Sequence, residues 1–210
     1  MSVDINTDAG KPLRFSDIVK MLAAREDTSV ATLVVVLGER AFGALMFILA
    51  IPNIIPTPPG TSAILGLPLL FLTFQLMVGR TTLWLPHFIS KRVIRKEVLQ
   101  GFAKRLLPPL TRIEKLVGAR LTWLASSPLA ERLLGLVACV LALILFLPIP
   151  LGNILPATGI AVLAIGLAER DGLAVVMGHL LALTSVGVLV LLSSAIYESI
   201  IALVRLLTGG

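Results

Sequence analysis

Charge is what this sequence most lacks. Asp, Glu, Lys and Arg make up 14% of its 210 residues, where a soluble domain carries about 25%. Hydrophobic residues reach 57% and the mean hydropathy is +0.98. An ordinary soluble domain is excluded. Cysteine is nearly missing as well. The single Cys139 cannot close an internal disulfide, and inside an apolar run it reads as packing. Histidine is limited to His87 and His179, in different surroundings. No Ser-His-Asp grouping, H-E-x-x-H, C-x-x-C, Walker loop or dinucleotide fingerprint is present. No catalytic residue, metal site or cofactor is predicted, and the chain is not read as an enzyme. A signal peptide is also lacking. The first 40 residues mix acids and bases before any long apolar run, so the first membrane segment is expected to direct its own insertion.

What is there is apolar and continuous. The uncharged runs do not alternate, which points to membrane helices and away from a lipid-facing barrel. Charge gathers in one place. Residues 1–40 carry five basic and six acidic side chains, and residues 41–79 carry none. Residues 80–132 carry eleven basic and three acidic, net +8; residues 133–210 carry two basic and three acidic. The basic excess flanks membrane segments, so nucleic acid is a poor partner. The positive-inside rule puts residues 80–132 in the cytoplasm beside anionic lipid headgroups.

One pattern occurs twice, 92 positions apart. Glu39-Arg40-x-x-Gly43 leads to Pro56-x-Pro58-x-Gly60-Thr61, and Glu131-Arg132-x-x-Gly135 leads to Pro148-x-Pro150-x-Gly152-Asn153. A weaker echo, SDIVKMLAAR at 16–25 against TRIEKLVGAR at 111–120, extends the unit to an amphipathic helix followed by a hairpin. Five segments follow: a flexible N-terminus over 1–14, repeat 1 over 15–80, a basic interfacial segment over 81–110, repeat 2 over 111–171, and a C-terminal transmembrane segment over 172–210.

The uncharged blocks 41–79, 133–168 and 172–197 set the architecture. A bilayer core of ~30 Å needs about 20 helical residues. The third block fits one spanning helix. The first two are too long for one helix and are broken by proline and glycine, giving arms 41–55 and 61–79, then 133–147 and 153–168. The shorter arms rise only ~22–24 Å, so each block is a re-entrant hairpin or a pair of short tilted spans. The predicted fold is all-α and polytopic, with two internally repeated broken-helix hairpins, amphipathic interfacial helices and a C-terminal transmembrane helix.

Local signals refine this. FSDIVKMLAAR at 15–25 reads as an amphipathic helix with Ser16 as N-cap. Val30–Leu37 is apolar and, capped by Thr28 or Ser29, could open the same helix that carries Glu39 and Arg40. Ser127-Pro128 sets an N-cap and a proline at the first helical position, putting Glu131 in the first turn. In 94–107 the apolar face is Ile94, Val98, Leu99, Phe102, Leu106 and Leu107, with Pro108-Pro109 expected to end the helix. A second amphipathic stretch is expected over 110–121. Trp84 and Trp123 bracket the basic segment as interface anchors.

The candidate binding residues are polar groups in apolar surroundings. Pro56, Pro58, Pro148 and Pro150 remove backbone donors while Gly60 and Gly152 permit φ > 0. Buried at mid-depth, such turns would aim the first amides of helices starting at Thr61 and Asn153 at the membrane centre, a cradle for an anionic or polar substrate. As external turns they would be plain connections. Glu39, Arg40, Glu131 and Arg132 could pair across the repeats or serve as interface charge. Asn53 and Asn153 must each find a partner. Gln75 and His179 are intramembrane polar residues expected to bond neighbouring carbonyls. Glu169-Arg170-Asp171 reads as a loop.

The two motif blocks, GERAFGALMFILAIPNIIPTPPGTSAILGLPLLFLTFQLMVGR followed by WLP, and ERLLGLVACVLALILFLPIPLGNILPATGIAVLAIGLAERDG, closely resemble the ExoD family of bacterial inner-membrane proteins. The likeness covers about residues 15–205. It implies a multi-pass plasma-membrane protein with a part in exopolysaccharide synthesis or export, and brings no catalytic residues. Two functions are expected from different classes. One is a transporter-like carrier of a small anionic or lipid-linked solute. The other is a scaffold that regulates polysaccharide-assembly proteins through the basic face. A second copy of the chain is a further candidate partner.

Overall fold

The computed structural model describes residues 15–24, 26–54, 61–114, 117–118, 120–146 and 152–208, with side-chain surroundings given for most of them. It is all-α apart from one short bridge. The contacts divide it into two units: residues 1–37 with 85–118, and residues 38–84 with 119–210.

The first unit holds α1 (Phe15–Ala23), α2 (Val30–Leu37), the four-residue α5 (His87–Ser90) and the long α6 (Lys96–Glu114), with β1 (Thr28–Ser29) antiparallel to β2 (Val93–Ile94). Helix α1 packs on α6, burying Ser16, Val19, Ala103 and Leu110. Ser16 therefore lies inside α1 and is not its N-cap. Ser29 caps α2, accepting from the Thr32 amide at 3.1 Å. Asp27 Oδ1 accepts from the first amide of α6, Lys96 N, at 3.1 Å.

Two expectations fail in α6. The helix runs straight through Pro108-Pro109. Proline removes two backbone donors here, but Ala103 and Leu110, seven residues apart on one face, are both buried on either side of the break. Packing outweighs the missing bonds, and the freed Lys104 carbonyl belongs to an exposed residue. The second amphipathic stretch is also different: Thr111–Glu114 are simply the last turn of α6, and Arg120–Thr122 are not helical.

The second unit begins at Gly38. That residue sits at φ +53°, followed by a 3₁₀ turn, Gly38–Arg40. Val30–Leu37 is thus a helix of its own, and Glu39 and Arg40 stand at the head of the next one. Four helices form the body: α3 (Ala41–Ile54), α4 (Thr61–Met77), α8 (Pro128–Phe146) and α9 (Ile154–Glu169). The short α7 (Trp123–Ser126) precedes α8. As expected, Ser127 caps α8, accepting from Ala130 N at 3.2 Å, with Pro128 first in the helix and Glu131 in its first turn.

Each hairpin's first helix packs most closely on the other hairpin's second helix: α3 on α9, α4 on α8. Glycines allow the approach. A Cβ on Gly43 would lie 2.6 Å from Ala164 O and 3.0 Å from Ala168 N, and one on Gly135 would strike Met77 N. At the other end of α4 and α8, a Cβ on Gly66 would touch Phe146 at 3.4 Å. The pairs are antiparallel, so the four helices alternate in direction. Helix α9 is the most enclosed, with Gly159, Ala161, Ala164, Gly166 and Ala168 among its buried residues. Small residues let membrane helices approach closely, where dispersion and not the hydrophobic effect drives association.

Helix α10 (Gly172–Thr208) is one unbroken element of 37 residues, about 55 Å at 1.5 Å per residue. Residues 172–208 therefore do not cross twice. Gly166 meets Val175, Leu163 meets Gly178, and Gly159 faces Ala182, so α10 runs antiparallel along α9. Among its residues with described surroundings, the buried ones are Gly172, Ala174, Val175, Gly178, Ala182 and Ser185. From Val186 to Ser194 it is exposed apart from a half-buried Leu189, and nothing lies within 4 Å of a Cβ on Gly187.

Candidate functional site

The four-helix body has two unlike ends. At one end α3 and α8 begin while α4 and α9 finish, and every charged residue of the body is there. At the other, α3 and α8 finish while α4 and α9 begin. The two ends are about 27 Å apart along α8 and about 22 Å apart along α9. The predicted site residues divide between them. Glu39, Arg40, Glu131 and Arg132 belong to the charged end; Asn53, Thr61, Gly152 and Asn153 belong to the proline end. Pro56, Pro58, Gly60, Pro148 and Pro150 lie outside the described residues, as does the side chain of Glu39.

At the charged end the Arg132 guanidinium lies over Gly79, so closely that a Cβ there would collide with Nε. Gly79 has φ +83° and closes α4, with Arg80 N donating to Gln75 O at 3.1 Å. A cation is thereby set against the negative end of a helix dipole. Helix α9 ends in the same way: Arg170 has φ 53°, and Asp171 N donates to Gly166 O at 2.9 Å. The Asp171 carboxylate, 2% exposed, accepts from Leu173 N at 2.8 Å and Ala174 N at 3.3 Å. It is the N-cap of α10, as a loop reading of this cluster implies. The first turn of α10 rests on the 120–121 loop, where Gly172 N donates to Arg120 O at 2.7 Å and Leu121 takes φ 49°.

Two lone polar residues are satisfied as expected. Gln75 Nε2 donates to the Phe71 carbonyl at 3.5 Å, its Oε1 also accepts from Trp84 N at 2.9 Å, and the Trp84 ring stands 6.0 Å from Phe71. That amide pins the chain leaving α4 back onto the helix. The His179 ring bonds the Val175 carbonyl of its own helix at 2.7 Å.

The proline end behaves differently. Asn53, 3% exposed, donates Nδ2 to Leu49 O at 2.9 Å, but its Oδ1 is buried without a hydrogen-bond partner. Asn153 occupies the N-cap position of α9 and caps nothing; its Oδ1 is also buried and unpartnered. The residue three further on is Pro156, which has no N–H to give. Ser185 Oγ shares this state. Its neighbours do not: Thr158, Thr184, Ser193 and Ser194 all bond carbonyls of their own helices. Sequence reasoning flagged both asparagines and missed Ser185, because a serine in an apolar helix ordinarily back-bonds and gives no signal.

No group of three His, Cys, Asp or Glu able to hold a metal ion occurs among the described residues. In the first unit, Glu26, Asp27, Lys96 and Glu97 line an open hollow of about 340 Å³, with Asp27 already engaged by the α6 amide.

Helices α8 and the first 23 residues of α10 are long and apolar enough to cross a membrane, each with mean hydropathy 2.3, and only 39% and 22% of their windows are buried. With the exposed apolar faces of α4, α8 and α10, they define the class: an all-α membrane protein. The "Exopolysaccharide synthesis, ExoD" profile matches residues 15–191. The chain belongs to the ExoD family. It is 35% identical over 170 residues to an uncharacterized protein, slr1875, of Synechocystis sp., covering 80% of this chain and 79% of that one. It is 31% identical over 151 residues to Protein ExoD of Rhizobium meliloti, covering 70% of this chain and 62% of the relative. No solved structure matches it. Family membership implicates the chain in exopolysaccharide synthesis.

Proposed function

We propose that this chain is a multi-pass protein of the bacterial inner membrane that carries a polar solute for exopolysaccharide synthesis, through a site held inside the bilayer at the proline end of its two hairpins. The observation that carries this reading is the overrun of α10. Helix α9 begins level with about residue 187 of α10, about 22 Å from the charged end. The hydrocarbon core is ~30 Å thick, and exposed apolar residues of α10 continue past that level: Val188, Val190, Leu191 and Leu192. Such a surface belongs in lipid. With the charged end at one interface and α10 spanning, the start of α9 falls about 8 Å short of the other interface, while α8, about 27 Å long, ends nearer to it. This supports re-entrant hairpins. The exchanged packing of α3 with α9 and α4 with α8, with Gly43 and Gly135 in equivalent contacts, supports an internal duplication around that site.

A second reading is a scaffold that docks assembly proteins or anionic lipid through α6. It is favoured by the amphipathic character of Lys96–Glu114, with Lys96, Lys104 and Arg112 on it. Depth separates the two. Spin labels at Gly152 and Leu191, in the full chain in bilayers, should both show oxygen-accessible, lipid-depth signatures, with Gly152 shielded from a water-soluble relaxant on the non-cytoplasmic side. Free exposure of Gly152 to that relaxant would remove the carrier reading and leave the scaffold.

A further inference from the structure

We infer that the charged end carries a binding site for an anionic phospholipid, whose phosphate is held by Arg80 and Arg132 and whose acyl chain lies along the outer seam between α4 and α8. The site is at the opposite end from the proline turns and does not depend on the carrier reading. It starts from two unpaired cations. The side chains of Arg80 and Arg132 are exposed, and neither has an ion pair or a side-chain hydrogen bond among the described residues. Both are rooted at one backbone position. The Arg132 guanidinium packs against Gly79, and Arg80 is the next residue, its amide tied to Gln75 O at 3.1 Å. The acids of this end do not neutralise them: Asp171 caps α10, and Glu131 and Glu169 have other partners. The negative end of the α4 dipole, about half a charge, leaves most of the two positive charges uncompensated. Guanidinium donors in a planar fork match phosphate oxygens.

The surface beneath these arginines makes the ligand a lipid and not a free phosphate. Gly66 and Gly135 mark the facing sides of α4 and α8. Counting about 100° per residue, Phe74 and Val78 turn about 80° and 120° from Gly66, while Leu136 and Val140 turn about 100° and 140° from Gly135. In an antiparallel pair, turns of one sense come out on the same side. The four side chains therefore border one side of the seam, and all are exposed. Arg132 turns about 60° the same way, at the head of this apolar strip. Trp84, 54% exposed and tied to Gln75, stands at the same end beside Phe71, as a ring that settles at headgroup level does. A phosphate above and an acyl chain below match the two parts of the surface. Phosphatidylcholine brings its own cation to its phosphate and gains less here.

The test uses the full chain with Trp123→Phe, which leaves Trp84 as the single tryptophan, in phosphatidylcholine bilayers holding a minor share of phosphatidylglycerol. One lipid at a time is brominated near the headgroup end of its acyl chains, and bromine in contact with Trp84 quenches its emission. Phosphatidylglycerol should be enriched beside Trp84 by at least about fivefold over its bulk share, the gain expected of one surface arginine. The paired variant Arg80→Gln, Arg132→Gln should return quenching to the bulk share. The pair Lys104→Gln, Arg112→Gln removes the same charge from exposed residues of α6 and should keep the enrichment. If the first pair does not fold, Arg80→Gln alone must lower it. Equal contact of the two lipids, or enrichment that survives loss of the arginines, would overturn the site. Equal loss in both paired variants would mean attraction to the whole basic surface, and abolition by inorganic phosphate would mean a free-phosphate site; either also ends the proposal.

Discussion

Single residues in this protein are constrained most where they have no side chain. Gly79 must take φ +83° and leave room for the Arg132 guanidinium. Gly79→Ala meets both demands badly, and should lower stability by about 1–3 kcal/mol. Arg132→Ala, which removes only the exposed cation, should cost under about 1 kcal/mol. Unfolding of the purified chain in mixed micelles compares them, and equal losses would show that the guanidinium alone sets the cap. Gln75 poses a different test. Gln75→Leu removes the part-buried bond to the Trp84 amide, a loss of about 0.5–1.5 kcal/mol. The Trp84 emission should shift to the red as the 81–84 segment detaches from Phe71. An unchanged spectrum would mean that the aromatic contact suffices.

At the scale of elements, helix packing turns on where glycine meets backbone. A Cβ on Gly166 would lie 2.9 Å from Val175 N, while Gly187, farther along the facing helix, has nothing within 4 Å. Gly166→Ala should therefore loosen α9 from α10 and cost about 1–3 kcal/mol, whereas Gly187→Ala should be neutral or stabilising by up to about 1 kcal/mol. Cysteine crosslinking between 163 and 178 reads the separation directly, and a Gly187→Ala loss as large as that of Gly166→Ala would mean an unseen partner on α10. Much of this layout was legible in the sequence. Uncharged blocks gave the arms of α3, α4, α8 and α9 to within a few residues, because charge is costly in hydrocarbon and the clustered prolines and glycines lie between the arms, although single prolines, Pro52 and Pro68, are carried inside α3 and α4. Ser127-Pro128 announced α8 for the same local reasons. What was not legible depended on tertiary burial. Pro108-Pro109 carries a strong stop signal that the packing of Ala103 and Leu110 overrides. The halt at Gly38 lies in one backbone angle. The 92-residue spacing also hides a slip: the left-handed caps, Gly79 and Arg170, are 91 apart, so one residue is gained or lost between motif and cap. The unpartnered oxygens of Asn53, Asn153 and Ser185 lie in three distant stretches, and no spacing rule connects them.

For the whole molecule, α10 makes orientation simple to test. A single helix that spans the bilayer puts its ends on opposite sides. If the positive-inside rule holds for the basic residues 80–132, a cysteine at Thr208 should label only from the periplasm and one at Thr122 only from the cytoplasm, using a membrane-impermeant maleimide on intact cells and on inverted vesicles. Labelling of both from one face would require α10 to lie in the interface and would end the spanning assignment.

The enclosure of α9 also bears on the order in which the protein can be made. This helix is short and lined with glycine and alanine, and much of what covers it comes from α10. On a ribosome, α9 emerges before that cover exists. Its Gly159, Leu163 and Gly166 face must then wait, bare to lipid or held by the insertion machinery, until about fifteen further residues arrive. Chains halted at Glu169 should be caught by membrane proteases, while chains halted at Ser194 should persist, so the arrival of α10 marks the point at which α9 becomes safe from quality control.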